Sequence, residues 1–106
     1  GFLARVRKRG RELEAGLVTL AKKHAALGEV RGLGLLRAVE IKDGAPFDPA
    51  GLVKTAMSHG LLLVKGGERA VRLLPPLTVT PAEIAEALER LDAALSELES
   101  TKGQTT

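Results

Sequence analysis

The sequence predicts an α+β fold: a two-layer sandwich in which a small, mostly antiparallel sheet of about three strands carries helices on one face. Three observations carry that expectation. Apolar patterning runs helix, strand, helix, strand, strand, helix along the chain. Two helix starts pair a capping residue with proline, Asp48-Pro49 and Thr80-Pro81. Lys65-Gly66-Gly67-Glu68 joins two short apolar runs with the chemistry of a hairpin connection.

Each element has its own reason. Leu3, Val6, Leu13, Leu17, Leu20, His24 and Leu27 fall at helical spacing, so residues from about Phe2 to Leu27 read as one amphipathic helix, with Gly28 as its stop. Gly10 lies on the same stripe and permits either a kink or a close-packed neighbour. Between Val30 and Ile41 the period shortens, and a strand is expected near Leu35 to Ile41, opened by Gly32 and Gly34. Asp43-Gly44-Ala45-Pro46 is turn chemistry. Asp48-Pro49 then starts a helix with Leu52, Val53, Ala56 and Met57 as its buried side and Gly60 as its terminator. Leu61 to Val64 and Ala70 to Leu74 read as the two strands of the hairpin. Thr80, Pro81 and Glu83 form a capping-box start for a last helix, expected to end at about Glu97, with Ile84, Leu88, Leu91, Leu95 and Leu98 as its stripe. Residues 100–106 are small and polar and read as a flexible tail.

Composition narrows the chemistry. A chain of 106 residues is one domain. With no cysteine, disulfides and thiolate metal sites are excluded, and two histidines are too few for a histidine metal cluster. No apolar run approaches the ~20 residues that span a bilayer. No signal peptide follows Gly1, so a cytoplasmic chain without a membrane partner is expected, and its start inside a helical pattern suggests a piece of something longer. Net charge is +3, and Arg5, Arg7, Lys8, Arg9 and Arg11 crowd the start. That run lacks interleaved aromatics for base stacking and lies on a polar helix face, so a solvated surface is expected rather than a nucleic-acid contact.

Other motifs have simple explanations. Gly32-Leu33-Gly34 lacks the third glycine of a dinucleotide fingerprint and precedes a strand. Lys65-Gly66-Gly67 is explained by the hairpin. His24 sits on an apolar stripe, as a packed histidine would, and His59 falls in a last helical turn, where an imidazole complements the dipole. Thr19-Leu20-Ala21-Lys22 imitates the surroundings of a cofactor lysine, but its helical spacing puts Lys22 toward solvent. Arg72 stands apart. Inside the apolar run Ala70 to Leu74 it faces either solvent on an edge strand or an anion.

Three segments carry a resemblance. Val30-Arg31-Gly32-Leu33-Gly34-Leu35-Leu36 with Glu40, His59-Gly60-Leu61-Leu62, and Gly67 to Leu77 with its Arg72-Leu73-Leu74-Pro75-Pro76-Leu77 core stand in the order of the acetylornithine/ornithine aminotransferase family. The likeness covers roughly Leu3 to Leu98 and resembles that family's small C-terminal domain. It implies residues 1–99 as that domain, with 1–28 as leading helix and 30–99 as α+β core. It further implies a parent enzyme that uses pyridoxal 5'-phosphate to move an amino group from a diamino-acid derivative to 2-oxoglutarate, in arginine biosynthesis. The implied partners are a large cofactor-binding domain of the same chain, a second subunit in a homodimer, the amino-acid substrate and 2-oxoglutarate. The family's cofactor lysine and phosphate-binding motifs have no counterpart here, so the fragment alone is expected to bind no cofactor and to be inactive. One site residue carries over by resemblance: Arg72, which in the family meets a substrate carboxylate or a large-domain glutamate. Arg37 replaces a small or apolar family residue and is expected on the open face of the sheet or at the large-domain contact. The competing expectation is a free-standing binding module that meets acidic partners through its basic first helix.

Overall fold

The structure is a computed structural model that describes residues 1–104, with side chains as far as Ser100. In chain order it contains α1 (Phe2–Lys23), β1 (Leu27–Leu33), β2 (Leu36–Ile41), α2 (Pro49–Ser58), β3 (Val64–Lys65), β4 (Ala70–Leu73) and α3 (Pro81–Gln104). The strands form one four-stranded sheet in the order β1-β2-β4-β3, antiparallel throughout. The α+β class and the β3–β4 hairpin are as the sequence predicts; among the described residues the strand count is four.

The added strand is β1, taken from what the periodicity assigns to the end of the leading helix and its glycine stop. α1 ends at Lys23, because His24 leaves helical geometry at φ −114°, ψ 106°. Gly28 therefore lies inside a strand. β1 and β2 are joined through Gly34 and Leu35, between the paired Leu33 and Leu36. Gly34 has φ +55° and among the described residues no non-glycine residue has positive φ, which is the signature of a II′ hairpin turn with glycine first.

α2 begins as its sequence dictates: the Asp48 carboxylate accepts from the Gly51 amide at 2.8 Å and Pro49 opens the first turn. It ends in a Schellman motif. The Gly60 amide donates to Met57 and the Leu61 amide to Ala56, with Gly60 at φ +80°. That motif consumes the start of the expected Leu61 to Val64 strand, so β3 keeps only Val64 and Lys65. Met57, expected on the buried side, is exposed, while Leu52 and Ala56 are buried. α3 opens with the capping box: the Thr80 amide donates to Glu83, and the Glu83 amide to Thr80 Oγ1. Its backbone continues past Glu97 to Gln104. Of the expected flexible tail, residues 105 and 106 lie outside the described residues.

One core holds the layers together. Leu13, Leu17 and Leu20 of α1, Leu52 and Ala56 of α2, Val39, Ile41, Val71 and Leu73 of the sheet, and Leu91 and Leu95 of α3 form a single buried cluster. α1 lies on β1 and β2, and α2 on β3 and β4; α3 packs chiefly on α1 and α2 rather than on the sheet. Gly10 resolves as close packing. A Cβ there would stand 2.3 Å from the Gly34 carbonyl oxygen. Among the described residues no helix is long and apolar enough to cross a membrane.

Candidate functional site

Alternation along β4 sorts its side chains. Val71 and Leu73 turn into the core, and Arg72 is exposed on the face that carries no helix. Its register neighbours are Ala38 on β2 and Val64 on β3. Directly opposed residues of antiparallel strands share a face. Pairing therefore lays Arg31, Ala38, Arg72 and Val64 in one row across all four strands. A parallel row holds Leu33 and Leu36, and Glu40 pairs with Ala70 on the other side of the arginine row. Leu33 and Leu36 are exposed, so this face is apolar at the β1–β2 hairpin end, and exposed Val64 closes the arginine row at β3.

The stem of Arg72 lies across Gly66. A Cβ at that glycine would be 2.8 Å from Arg72 Cγ and 2.9 Å from Nε. The hairpin glycine thus makes room for the side chain and sets its direction. Beyond β4, Leu74, Pro75 and Pro76 leave the sheet and, with Leu61, Ile84 and Ala87, line a cleft of about 340 Å³. Prolines suit this exit because they have no amide to offer a ladder.

Arg37 corrects its expectation. It shares the core-facing side of β2 with Val39 and Ile41 and is buried. It donates from Nη1 to the Gly32 carbonyl oxygen and pairs with Glu14 of α1 at 3.5 Å, while its Nε has no partner. It is therefore a buried strut between α1 and the β1–β2 hairpin, not a group of the open face.

Both histidines stand where a helix ends, and both face α3. His24 is buried, with Nε2 2.6 Å from Asp92 and Nδ1 2.9 Å from Glu99. His59 reaches Glu97 at 3.0 Å. The Lys23 ammonium at 2.8 Å and then the His24 ring hold the Asp92 carboxyl below its ordinary value of 3.8. These contacts tie helix ends to α3. Among the described residues no group of acids and histidines could hold a metal ion. In the basic run at the start of α1, Arg9 meets Glu12 at 3.0 Å and Arg5 lies over Phe2; Arg7, Lys8 and Arg11 are exposed.

Comparison with known proteins decides the family. The family model described as aminotransferase class-III matches residues 1–95. The chain belongs to the class-III aminotransferases. A curated relative, the acetylornithine aminotransferase of Nostoc sp., is 45% identical over 96 residues, which are 90% of this chain and 22% of that protein. The class-III chain superposes on the crystal structure of N-acetylornithine aminotransferase from Stenotrophomonas maltophilia with a TM-score of 0.86 at 28% identity, covering 92% of this chain and 27% of that one. It also matches the ornithine aminotransferase of Toxoplasma gondii, TM-score 0.80 at 30% identity, covering 93% and 24%; that structure is described as having partial occupancy of PLP at its active site. The chain spans less than a quarter of the length of the Nostoc relative.

Full-length class-III aminotransferases use pyridoxal phosphate, and the residues described here do not fit that cofactor. Its internal partner is a desolvated, oriented lysine amine. Lys8, Lys22, Lys23, Lys42, Lys54 and Lys65 are all exposed. What this class-III chain presents on its helix-free face is the arginine row.

Proposed function

We propose that this chain is the C-terminal small domain of an acetylornithine/ornithine-type aminotransferase, which in the intact enzyme passes an amino group from a diamino-acid derivative to 2-oxoglutarate. The observation that carries the proposal is Arg72: it is exposed on the helix-free face, directed by Gly66, and belongs to one of the segments that resemble the family's. Its guanidinium keeps its charge and meets a carboxylate through two parallel hydrogen bonds. That carboxylate is a substrate's or a glutamate of the larger domain. The larger domain of the same chain would hold pyridoxal phosphate and supply the reactive lysine, in a cytoplasmic homodimer. The role of this domain is then to bind and orient, and to cover the site against water. Alone, it is inactive.

Steady-state kinetics of the intact enzyme test this. A charge-assisted hydrogen bond contributes about 1.5–3 kcal/mol. Arg72→Ala should therefore lower kcat/KM for the amino donor or for 2-oxoglutarate by about one to two orders of magnitude. Arg72→Lys should recover part of it, because an ammonium lacks the planar fork. Unchanged kcat/KM for both substrates in Arg72→Ala removes the assignment. Borohydride reduction of the 106-residue chain with pyridoxal phosphate tests the division of labour. Stoichiometric labelling of Lys22, Lys54 or Lys65 at one site would contradict it.

A further inference from the structure

The helix-free face has a second arginine in register with the first. Arg31 on β1 and Arg72 on β4 flank Ala38 on β2. With neighbouring strands about 4.8 Å apart, their Cα atoms are roughly 10 Å apart. The small side chain of Ala38 leaves the floor between them low. Arg31 touches Glu29 at 3.5 Å, with side chains 54% and 68% exposed. A pair so open to water contributes little and leaves the guanidinium available. The clefts beside Pro75 and Ile84, beside Lys42 and Phe47, and beside Gly60 and Glu86 are lined by none of Arg31, Ala38 or Arg72. A flat row of two arginines beside exposed Leu33 and Leu36 suits a protein surface better than a small molecule enclosed by this chain.

We infer that Arg31 and Arg72 together form a two-point docking row, which takes a protein surface carrying two carboxylates about 10 Å apart. The occupant is the larger remainder of the enzyme, since this chain is only 22% of a relative's length. The inference rests on the reading under Proposed function. One ion pair leaves the docked body free to rotate about that contact. A second, two strands away, sets the angle at which the sheet face meets its partner. Charged pairs across an interface give orientation and register more than affinity. Arg31 is thus a positioning residue: it acts through the angle of the domain, beside the contact that Arg72 makes with the same protein surface.

The test uses the full-length enzyme with Arg31→Gln, Arg31→Lys and, as control, Arg11→Gln on exposed α1 surface. Amide hydrogen exchange over residues 27–41 is followed at low and high salt. Arg31→Gln should exchange there at least threefold faster than wild type at low salt and lose the salt dependence that wild type shows. Arg31→Lys should fall between, and Arg11→Gln should match wild type. Exchange in Arg31→Gln equal to wild type, or with the same salt dependence, overturns the inference. Protection seen only after 2-oxoglutarate is added overturns it too, by placing substrate rather than protein on the row. Exchange needs no turnover, so an inactive wild type would sink the aminotransferase reading while Arg31 is still tested. An active enzyme indifferent to Arg31→Gln would do the reverse.

Discussion

Replacing Gly10 by alanine sets two opposed effects against each other. Alanine favours a helix interior over glycine by about 1 kcal/mol. The new methyl, however, would stand 2.3 Å from the Gly34 carbonyl oxygen, 2.9 Å from its carbon and 3.2 Å from Arg37 Nη2. Two of those atoms are backbone, held in a tight turn that cannot yield without disturbing β1 and β2. Overpacking of that kind costs about 1–3 kcal/mol, and a backbone obstacle belongs in the upper part of the range. The net expectation is a loss of about 1–2 kcal/mol after the helix gain is subtracted. In a chain of this length each kcal/mol moves Tm by about 4–8 °C, so a fall of roughly 4–16 °C follows. Gly16→Ala is the matched control. Its methyl would stand 2.2 Å from Leu88 Cδ1, the end of a partly buried side chain that can swing aside. Gly16→Ala should therefore lie within about 1 kcal/mol of wild type. Thermal and urea unfolding followed by circular dichroism compare the two. If Gly10→Ala proves as stable as Gly16→Ala, the close approach of α1 to the hairpin turn is wrong.

The other expectations are more local. Gly66→Ala should drive Arg72 from its place against the hairpin and lower kcat/KM of the intact enzyme in the same direction as Arg72→Ala, with little loss of Tm; unchanged kinetics would separate Gly66 from the site. Thr80→Ala removes one half of the capping box and should cost about 0.5–2 kcal/mol in urea unfolding. Arg37→Met exchanges a buried strut with an unpartnered Nε for an apolar chain and should be neutral or stabilising. Glu14→Ala strands the buried guanidinium and should destabilise, which the same denaturation series checks. The lowered value of Asp92 means that its stabilising contribution is present above the ordinary carboxylate value of 3.8 and is lost as pH falls through the depressed native value. Asp92→Asn should accordingly flatten the acid limb of the stability profile, and an identical limb in the variant would contradict this.

Where local chemistry sufficed, the sequence was informative. Asp48-Pro49 and the Thr80–Glu83 box start their helices as read, because each cap satisfies amides within its own first turn. The end of α1 was hidden, since His24 and Leu27 keep helical spacing. What stops the helix is the capture of the His24 ring by Asp92 and Glu99, 68 and 75 residues away. β1 was hidden for a related reason: glycines at 28 and 32 and charges at 29 and 31 weaken its apolar alternation. Arg37 was legible in principle, because period two groups it with Val39 and Ile41. The expectation that a charge must avoid the core outweighed that parity, and Glu14, on another element, made burial possible. Arg72 was legible because Val71 and Leu73 on either side demand the core. The arginine row was not, since Arg31 meets Arg72 only through a register that the missing strand creates.

The two long helices run side by side in the same direction: Gly16 meets Leu88, and His24 meets Asp92 and Glu99 farther along both. Their outer ends, Phe2 and Gln104, therefore point to opposite poles of a body 52 Å long. Tension applied between those ends would slide α1 along α3 instead of peeling it away. Shear of this kind loads the Lys23–Asp92 and His24–Glu99 contacts and the leucine packing at once, where peeling would break them one after another. The unit is built as a stiff splint, able to transmit a push or a rotation along its length without coming apart at the seam between its first and last helices.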